Sequence, residues 1–149
     1  MIVFIDVSVQ ELCEHGRLFN YNRPDCTCGC KKVWGHGFVT RILDGCSVEL
    51  KRFRCPQCQT VFTLRPSSFR PRFQNSIRVM FMGLVASLST GRWARPVPRQ
   101  RGRHWLRRLE RFAAAHFPSE PILSLLQRLH ECRLLFYPAS REPIFPTLT

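Results

Sequence analysis

The chain has 149 residues and a strongly basic composition, with 23 Lys and Arg residues against 10 Asp and Glu residues and a formal net charge of +13. This length suffices for one compact domain, or for a small metal-stabilised module joined to a helical one. The longest apolar run, Val79 to Ala86, is far shorter than the roughly 20 residues needed to span a bilayer. The composition therefore argues against a membrane protein and favours an anionic partner.

Residues 1–22 are expected to form a strand and a short helix that pack on the module that follows. Ser8 and Glu11 form a capping-box pattern, which predicts a helix over Val9–His15 that ends at Gly16. The segment lacks the basic start of a secretory signal and carries Asp6, so no export is predicted. A cytoplasmic location with reduced thiols follows.

Two cysteine clusters, Cys26-Thr-Cys28-Gly-Cys30 and Cys55-Pro-Gln-Cys58, flank a stretch predicted to be a β-hairpin. Asp44-Gly45 marks its turn, because both residues tolerate positive φ. Thiolates gathered at the ends of a hairpin suit Zn²⁺, which takes four ligands at tetrahedral corners. Residues 23–64 are therefore predicted to form a small zinc ribbon, with one structural Zn²⁺ bound by Cys26, Cys28, Cys55 and Cys58.

The first cluster leaves one ligand open, because its spacing does not match the two-residue gap of the second. Gly29 is the kind of small residue that follows the second ligand of such a turn, which favours Cys28, and Cys30 is the alternative. A disulfide framework and buried thiols without ligands are the competing interpretations. Three further cysteines are expected to be small core residues: Cys13, Cys46 and Cys132.

Basic residues are concentrated in one stretch of the chain. From Leu50 to Leu109 there is no acidic residue, whereas 14 basic residues are present and 13 of them are Arg. A solvated surface usually mixes signs, so this distribution favours a polyanionic partner. Guanidinium groups also make bidentate contacts with phosphates and guanine edges. The residues predicted to bind nucleic acid are Lys51, Arg52, Arg54, Arg70, Arg72, Arg99, Arg101, Arg103, Arg107, Arg108 and Arg111.

The second half is predicted to be helical, which makes the fold class α+β. A proline-containing linker at residues 65–75 leads into a helical, helix-turn-helix-like domain at residues 76–138. Residues 139–149 are expected to be a tail. The last helix of the domain is expected to be capped by Ser119 and to end at Pro138.

The middle helix of this domain is the candidate DNA-contacting element. The helix before it is expected to be capped by Asn75 or Ser76 and to stop at Gly91. The middle helix, from about Arg99 to Phe117, has an apolar stripe on one side and a row of arginines on the other: Arg103, Arg107 and Arg111. One anchored side and one cationic side are what a recognition helix requires. A helix with a merely solvated basic face is the alternative.

Several short motifs together resemble a known family: Arg23-Pro24, Cys28-Gly29-Cys30, Trp34-Gly35-His36-Gly37, Arg52-Phe53-Arg54-Cys55-Pro56-Gln57-Cys58 and Val61-Phe62-Thr63. They are similar to the zinc ribbons at the N-termini of bacterial insertion-sequence transposases and their stand-alone relatives. In that group a DNA-binding helix-turn-helix unit usually follows, and residues 76–117 are similar in layout. The resemblance implies a prokaryotic protein, which would be nucleoid-associated if it binds DNA.

The chain departs from that family in two ways. Its first cysteine cluster lacks the family's C-x2-C spacing. A transposase of this type also cuts DNA with an acidic triad on a large RNase-H-like domain, whereas the aspartates here are Asp6, Asp25 and Asp44, all in or before the ribbon. Nuclease activity is therefore not expected. Other enzymatic activity is not expected either, because neither Cys13 beside His15 nor Cys132 near His130 has a pattern typical of a nucleophile pair. A truncated derivative, an accessory subunit or a repurposed binding module fits better.

Zinc-dependent binding of nucleic acid, with duplex DNA preferred, is the leading hypothesis. RNA binding in a larger nucleoprotein complex is one alternative, in which aromatic side chains of the ribbon stack on unpaired bases: Trp34, Phe38, Phe53 and Phe62. A protein-interaction subunit is the other, with a partner or a second copy docked on the helices.

Overall fold

The computed structural model describes residues 1–95 and 97–136, and the chain divides into the units Met1–Ser76 and Ile77–Thr149. The described residues form a mixed fold with one four-stranded sheet and four α-helices. The predicted tail at residues 139–149, and the helix stop predicted at Pro138, lie outside the described residues. No helix in the described part of the chain is both long enough and apolar enough to cross a membrane.

The first unit contains the whole sheet, one α-helix, α1 (Val9–His15), and a short 3-10 helix at Gly16–Leu18. The strand order is β1-β4-β3-β2, with β1 parallel to β4 and the other neighbours antiparallel. The parallel pair is possible because the long excursion through α1, β2 and β3 separates β1 from β4. The strands are β1 (Ile2–Ile5), β2 (Trp34–Leu43), β3 (Cys46–Arg54) and β4 (Val61–Pro66).

The predicted capping box of α1 is confirmed. The Ser8 hydroxyl accepts a hydrogen bond from the Glu11 N–H at 3.1 Å, and the Ser8 N–H donates to the Glu11 carboxylate at 2.8 Å. Two N–H groups that the helix start would leave unpaired are thus satisfied reciprocally. The helix ends at Gly16 as predicted, and its buried Leu12 joins the core of the unit.

The predicted hairpin turn is also confirmed. Asp44 and Gly45 have φ values of 48° and 85°, the doubly positive geometry of a tight two-residue hairpin. The turn also binds the last residues of the first unit. The Asp44 carboxylate accepts a hydrogen bond from the Ser76 N–H at 2.8 Å, and the Asp44 N–H donates to the Gln74 carbonyl at 2.8 Å.

Residues 65–75, predicted as a linker, instead belong to the first unit. Arg65 and Pro66 complete β4, where Pro66 pairs with Ile5 of β1. Phe69 is 0% exposed and packs with Val48 and Leu50 of β3. The prolines suggested an extended spacer, but burying the Phe69 ring ties the segment to the sheet.

A second buried cluster lies near the end of the sheet that faces away from the Asp44 turn. It comprises Cys26, Val33, Phe53, Cys55, Phe62 and Leu64. Phe53 and Phe62 are directly paired across β3 and β4, so their rings lie on the same face of the sheet. Two of the cysteines predicted as ligands are therefore part of the hydrophobic core.

The second unit contains α2 (Ile77–Thr90), α3 (Arg99–His116) and α4 (Ile122–Glu131). Gly91 ends α2 as predicted, with a φ of 69° and its N–H donating to the Ser87 carbonyl at 2.9 Å. The buried side chains of the three helices are predominantly large and apolar: Met80, Leu84, Trp105, Leu109, Leu125, Leu126 and Leu129.

The last helix differs from its predicted limits at both ends. It begins after Pro121, which makes no side-chain cap, and not at a Ser119 cap. It ends at Glu131 because Arg133 takes a φ of 57°, and the Leu134 N–H turns back to the Leu129 carbonyl at 2.8 Å. This αL closure satisfies a carbonyl of the last turn.

Replacing Gly102 of α3 by Ala is expected to destabilise the second unit. A Cβ at this buried position would lie 2.4 Å from the Trp93 ring. Overpacking costs about 1–3 kcal/mol, against a gain of about 1 kcal/mol in helix propensity. Thermal unfolding followed by circular dichroism should show a lower midpoint. The same G102A change in a W93A background should cost nothing, and an equal loss in both backgrounds would contradict the contact.

Candidate metal centre

Two turns at one end of the sheet build the candidate metal centre. The first precedes β2. In it Gly29 adopts a φ of 83° and its N–H donates to the Cys26 carbonyl at 3.0 Å. This tight turn brings Cys28 back beside Cys26, with their sulfurs 3.3 Å apart.

The second turn joins β3 to β4. The Cys55 N–H donates to the Thr60 carbonyl at 3.0 Å, and the Gln59 N–H donates to the Cys55 carbonyl at 3.1 Å. Gln59 has a φ of 62°, so the chain reverses within a few residues. This reversal keeps Cys58 close to Cys55.

The two turns bring four sulfurs into one group. Those of Cys26, Cys28, Cys55 and Cys58 all lie within 4.8 Å of one another. The Cys26 and Cys58 sulfurs are 3.4 Å apart, and those of Cys28 and Cys55 are 3.5 Å apart. Cys26 and Cys55 are buried whereas Cys28 and Cys58 are exposed. Four thiols in this arrangement could hold a metal ion, and they are the four that the sequence analysis favoured.

Backbone N–H groups favour the thiolate form on the second turn. The pKa of Cys55 is lowered to about 6, chiefly by the N–H of Cys58, with burial opposing and the N–H of Gln57 assisting. The pKa of Cys58 is lowered by the Thr60 hydroxyl and then by the Thr60 N–H. The second turn therefore presents sulfurs that lose their protons readily.

The first turn behaves in the opposite sense. The N–H of Cys28 favours the thiolate of Cys26, but burial and the three neighbouring sulfurs outweigh it and raise the pKa of Cys26 to about 12. The pKa of Cys28 is also raised, although the N–H of Cys30 and the Cys26 thiol lower it, because burial and the other two sulfurs act against them. Four thiolates at this distance repel one another, so a bound cation is what would allow all four to ionise.

Cys30, the alternative to Cys28, lies outside the group of four sulfurs. Its thiol donates to the Lys32 carbonyl at 3.4 Å. Its contribution to the centre is the backbone N–H that reaches the Cys28 sulfur. The spacing in the sequence did not decide whether Cys28 or Cys30 is the ligand. The turn at Gly29 places the Cys28 sulfur in the group of four and leaves the Cys30 sulfur outside it.

The expectation that Cys13 and Cys46 are core residues is wrong. Both are exposed, and Cys132 is only partly buried. The pKa of Cys13 is raised by local desolvation and then by the neighbouring Cys46 thiol, so the two lie side by side although 33 positions separate them. Only the packing of α1 on the hairpin brings them together, and no local signal in the sequence indicates it.

The basic residues predicted on the first unit differ in their surroundings. The Lys51 ammonium lies over the Phe38 ring at 4.4 Å and over the Phe53 ring at 5.8 Å. Arg52 and Arg70 are half-buried, whereas Arg54 and Arg72 are exposed. Lys51 thus covers aromatic surface, and Arg54 is the most accessible cation on the strands near the cysteines.

The α3 helix separates apolar from cationic side chains as predicted. Trp105, Leu109 and Ala113 are buried on one side. Arg108 is half-buried, with its guanidinium over the Phe136 ring at 6.0 Å. The other predicted arginines of this helix are exposed: Arg99, Arg101, Arg103, Arg107 and Arg111.

One arginine of the acid-free stretch is structural, and the sequence analysis did not single it out. Arg65 is buried and donates to the Phe73 carbonyl. Its pKa is lowered by burial and then by the charge of Arg41. Its guanidinium lies 5.9 Å from the centre of the Phe69 ring. Arg65 therefore helps to fix residues 67–76 on the sheet.

No protein-family model, no curated protein and no solved structure matches this chain. Function must therefore be inferred from the cysteine group and from the distribution of the arginines. These two features lie on different units, since the cysteines belong to Met1–Ser76 and α3 belongs to Ile77–Thr149.

Substitution of single cysteines should separate the group of four from Cys30. The C28S variant removes a sulfur of the group and should lose tight binding of one divalent ion, because a hydroxyl is a poor ligand for a soft metal. The C30S variant keeps its backbone N–H and should bind as the unchanged protein does. Titration with Cd²⁺, followed by thiolate-to-metal absorption, measures both. Loss in C30S with retention in C28S would reverse the assignment.

Proposed function

We propose that this chain is a zinc-dependent nucleic-acid-binding protein that favours duplex DNA. The observation that carries the proposal is α3, an 18-residue helix with one side buried and an exposed row of arginines on the other. Its role is to bind rather than to cut. The cysteine group supplies a metal-stabilised platform in the first unit.

Zinc is the ion that best suits the four sulfurs. Tetrahedral ligands at 2.3 Å from the ion lie about 3.8 Å from each other, and three of the sulfur pairs here are separated by 3.3, 3.4 and 3.5 Å. Every sulfur also accepts a backbone N–H, which stabilises the thiolates that zinc requires. Four thiolates fill the tetrahedral sites, so the centre is structural and not catalytic.

The role of zinc would be to supply folding free energy. Among the described residues, the first unit has two small buried clusters, and the second of them contains Cys26 and Cys55. A small module of this kind gains much of its stability from the metal. Cys26, Cys28, Cys55 and Cys58 would hold the ion and so join the loop before β2 to the turn after β3.

The arginine row on α3 is suited to a nucleic-acid backbone or groove. Arg103, Arg107 and Arg111 are four residues apart, which places successive guanidinium groups about 6 Å apart along the helix axis. Trp105 and Leu109 anchor the opposite side. A helix held in this way can present long cationic side chains to the major groove.

The proposal includes a relationship to the zinc-ribbon and helix-turn-helix regions of insertion-sequence transposases. The cysteine group, the hairpin and the three helices support it. The connection between α2 and α3, residues 91–98, has eight residues, longer than the three or four of a helix-turn-helix. The case for binding therefore rests on the arginine side of α3 more than on the motif.

Replacing Arg107 and Arg111 together by Ala should weaken binding to a duplex DNA and reduce the slope of log affinity against log salt by about 2, because each phosphate contact releases about 0.9 counterions. Both side chains are exposed, and Ala is a better helix former than Arg, so unfolding is not expected. Fluorescence anisotropy at several salt concentrations measures the slope.

A control with the same loss of charge isolates the position of the arginines. Arg17 and Arg23 lie outside the acid-free stretch, and Arg17 already pairs with Glu49 at 2.7 Å. Their double replacement by Ala should leave most of the salt slope intact. Equal effects of the two double variants would mean that net charge, and not α3, determines binding.

A further inference from the structure

Next to the cysteines, one face of the sheet carries side chains that are exposed or partly exposed. Along β3 and β4 the side chains alternate between faces. Next to the cysteines, Phe53 and Phe62 occupy the buried face, whereas nearer the Asp44 turn the buried Val48 and Leu50 lie on the opposite face.

Residues that pair directly across neighbouring strands lie on the same face. On the face opposite Phe53, Trp34 pairs with Arg54. On the same face, Thr63 pairs with both Arg52 and Ile2. We refer to Trp34, Arg52, Arg54, Thr63 and Ile2 as the open face.

Trp34 is the prominent apolar group of this face. Its side chain is 63% exposed, although a Trp of a folded domain usually buries most of its surface. It lies at the start of β2, an edge strand. A β-bulge follows between Gly35 and Phe38, so the side chains before and after it do not share a simple alternation. Because the bulge shifts the alternation by one residue, the Trp34 side chain lies on the face opposite to that of the buried Phe53.

The other ribbon aromatics considered for stacking are not available. Phe53 is 4% exposed and Phe62 is 1% exposed. Phe38 is covered by cations, with the Lys51 ammonium 4.4 Å and the Arg17 guanidinium 5.5 Å from its ring centre. Of the four candidates, Trp34 alone offers a ring face to a flat ligand.

The positive charge of the arginines beside Trp34 favours an anionic ligand. Arg54, its direct cross-strand partner, is exposed. Arg52 lies two positions earlier on the same face and is half-buried. Both arginines belong to the stretch from Leu50 to Leu109 that has no acidic residue. An aromatic ring beside guanidinium groups matches the stacking surfaces on which proteins bind single-stranded nucleic acid.

We propose that the open face binds an unpaired nucleotide of a single-stranded nucleic acid. The base stacks on the Trp34 indole, and Arg54 and Arg52 contact the adjacent phosphates. Bases inside a duplex are already stacked, so this contact requires a single strand or an unpaired end. The inference deepens the proposed nucleic-acid binding and rests on it, but it uses other residues than the arginines of α3.

The test compares the W34A variant with the unchanged protein on a 12-nucleotide oligodeoxythymidine, an oligouridine of the same length and a blunt-ended duplex of two complementary strands without unpaired bases. Stacking of one base is worth a loss of about 5- to 150-fold in affinity on alanine substitution. W34A should therefore bind the single strands that much more weakly and bind the duplex unchanged. W34F should recover most of the affinity. The affinities of the unchanged protein for the two single strands show which of them it prefers.

The matched control is I42A, which removes an apolar side chain that is 54% exposed on the same strand and should change neither affinity. Since both side chains are exposed, circular dichroism should show both variants folded. Single-strand affinity that is unaltered in W34A, with duplex binding retained, would overturn this inference and leave the α3 proposal intact. Absence of binding to all three probes by the unchanged protein would overturn both.

Discussion

The closure of two turns by four sulfurs is the interaction on which the first unit depends. Cys26 and Cys28 lie in a loop before β2, and Cys55 and Cys58 lie in the turn between β3 and β4. The Cys28 thiol also donates to the Gln57 side-chain carbonyl across the two segments at 3.7 Å. Their sulfurs approach within 4.8 Å, where mutual repulsion would oppose four thiolates and a bound cation would reverse the sign of the interaction. The same closure positions the start of β2, and with it Trp34.

The arginine and lysine side chains of this chain have several different structural roles. Arg65 is buried and holds residues 67–76 on the sheet, and Arg128 pairs with Glu120 in the second unit. Lys51 covers aromatic rings. By contrast, Arg107 and Arg111 are exposed on α3. Net charge alone therefore predicts an anionic partner, but only the surroundings of each side chain indicate where that partner would bind.

Local signals in the sequence predicted the elements that local physics determines. The capping box of Ser8 and Glu11, the turn at Asp44-Gly45 and the stop at Gly91 all depend on a few adjacent residues. Features that depend on distant packing have no local signal in the sequence, such as the pairing of β1 with β4, the burial of Phe69 and the proximity of Cys13 to Cys46. The four cysteines could be identified from the sequence because cysteines clustered in two tight turns are typical of a metal site. Trp34 could not be separated from the buried phenylalanines, because the bulge in β2 shifts the alternation that would have distinguished them.

The most direct test of this account is X-ray absorption at the zinc edge on the full chain purified without added metal. The account predicts one zinc per chain with four sulfur neighbours at about 2.3 Å, and no change in that shell in the C30S variant. Nitrogen or oxygen neighbours in place of one or more sulfurs, or the absence of zinc from folded protein, would contradict it.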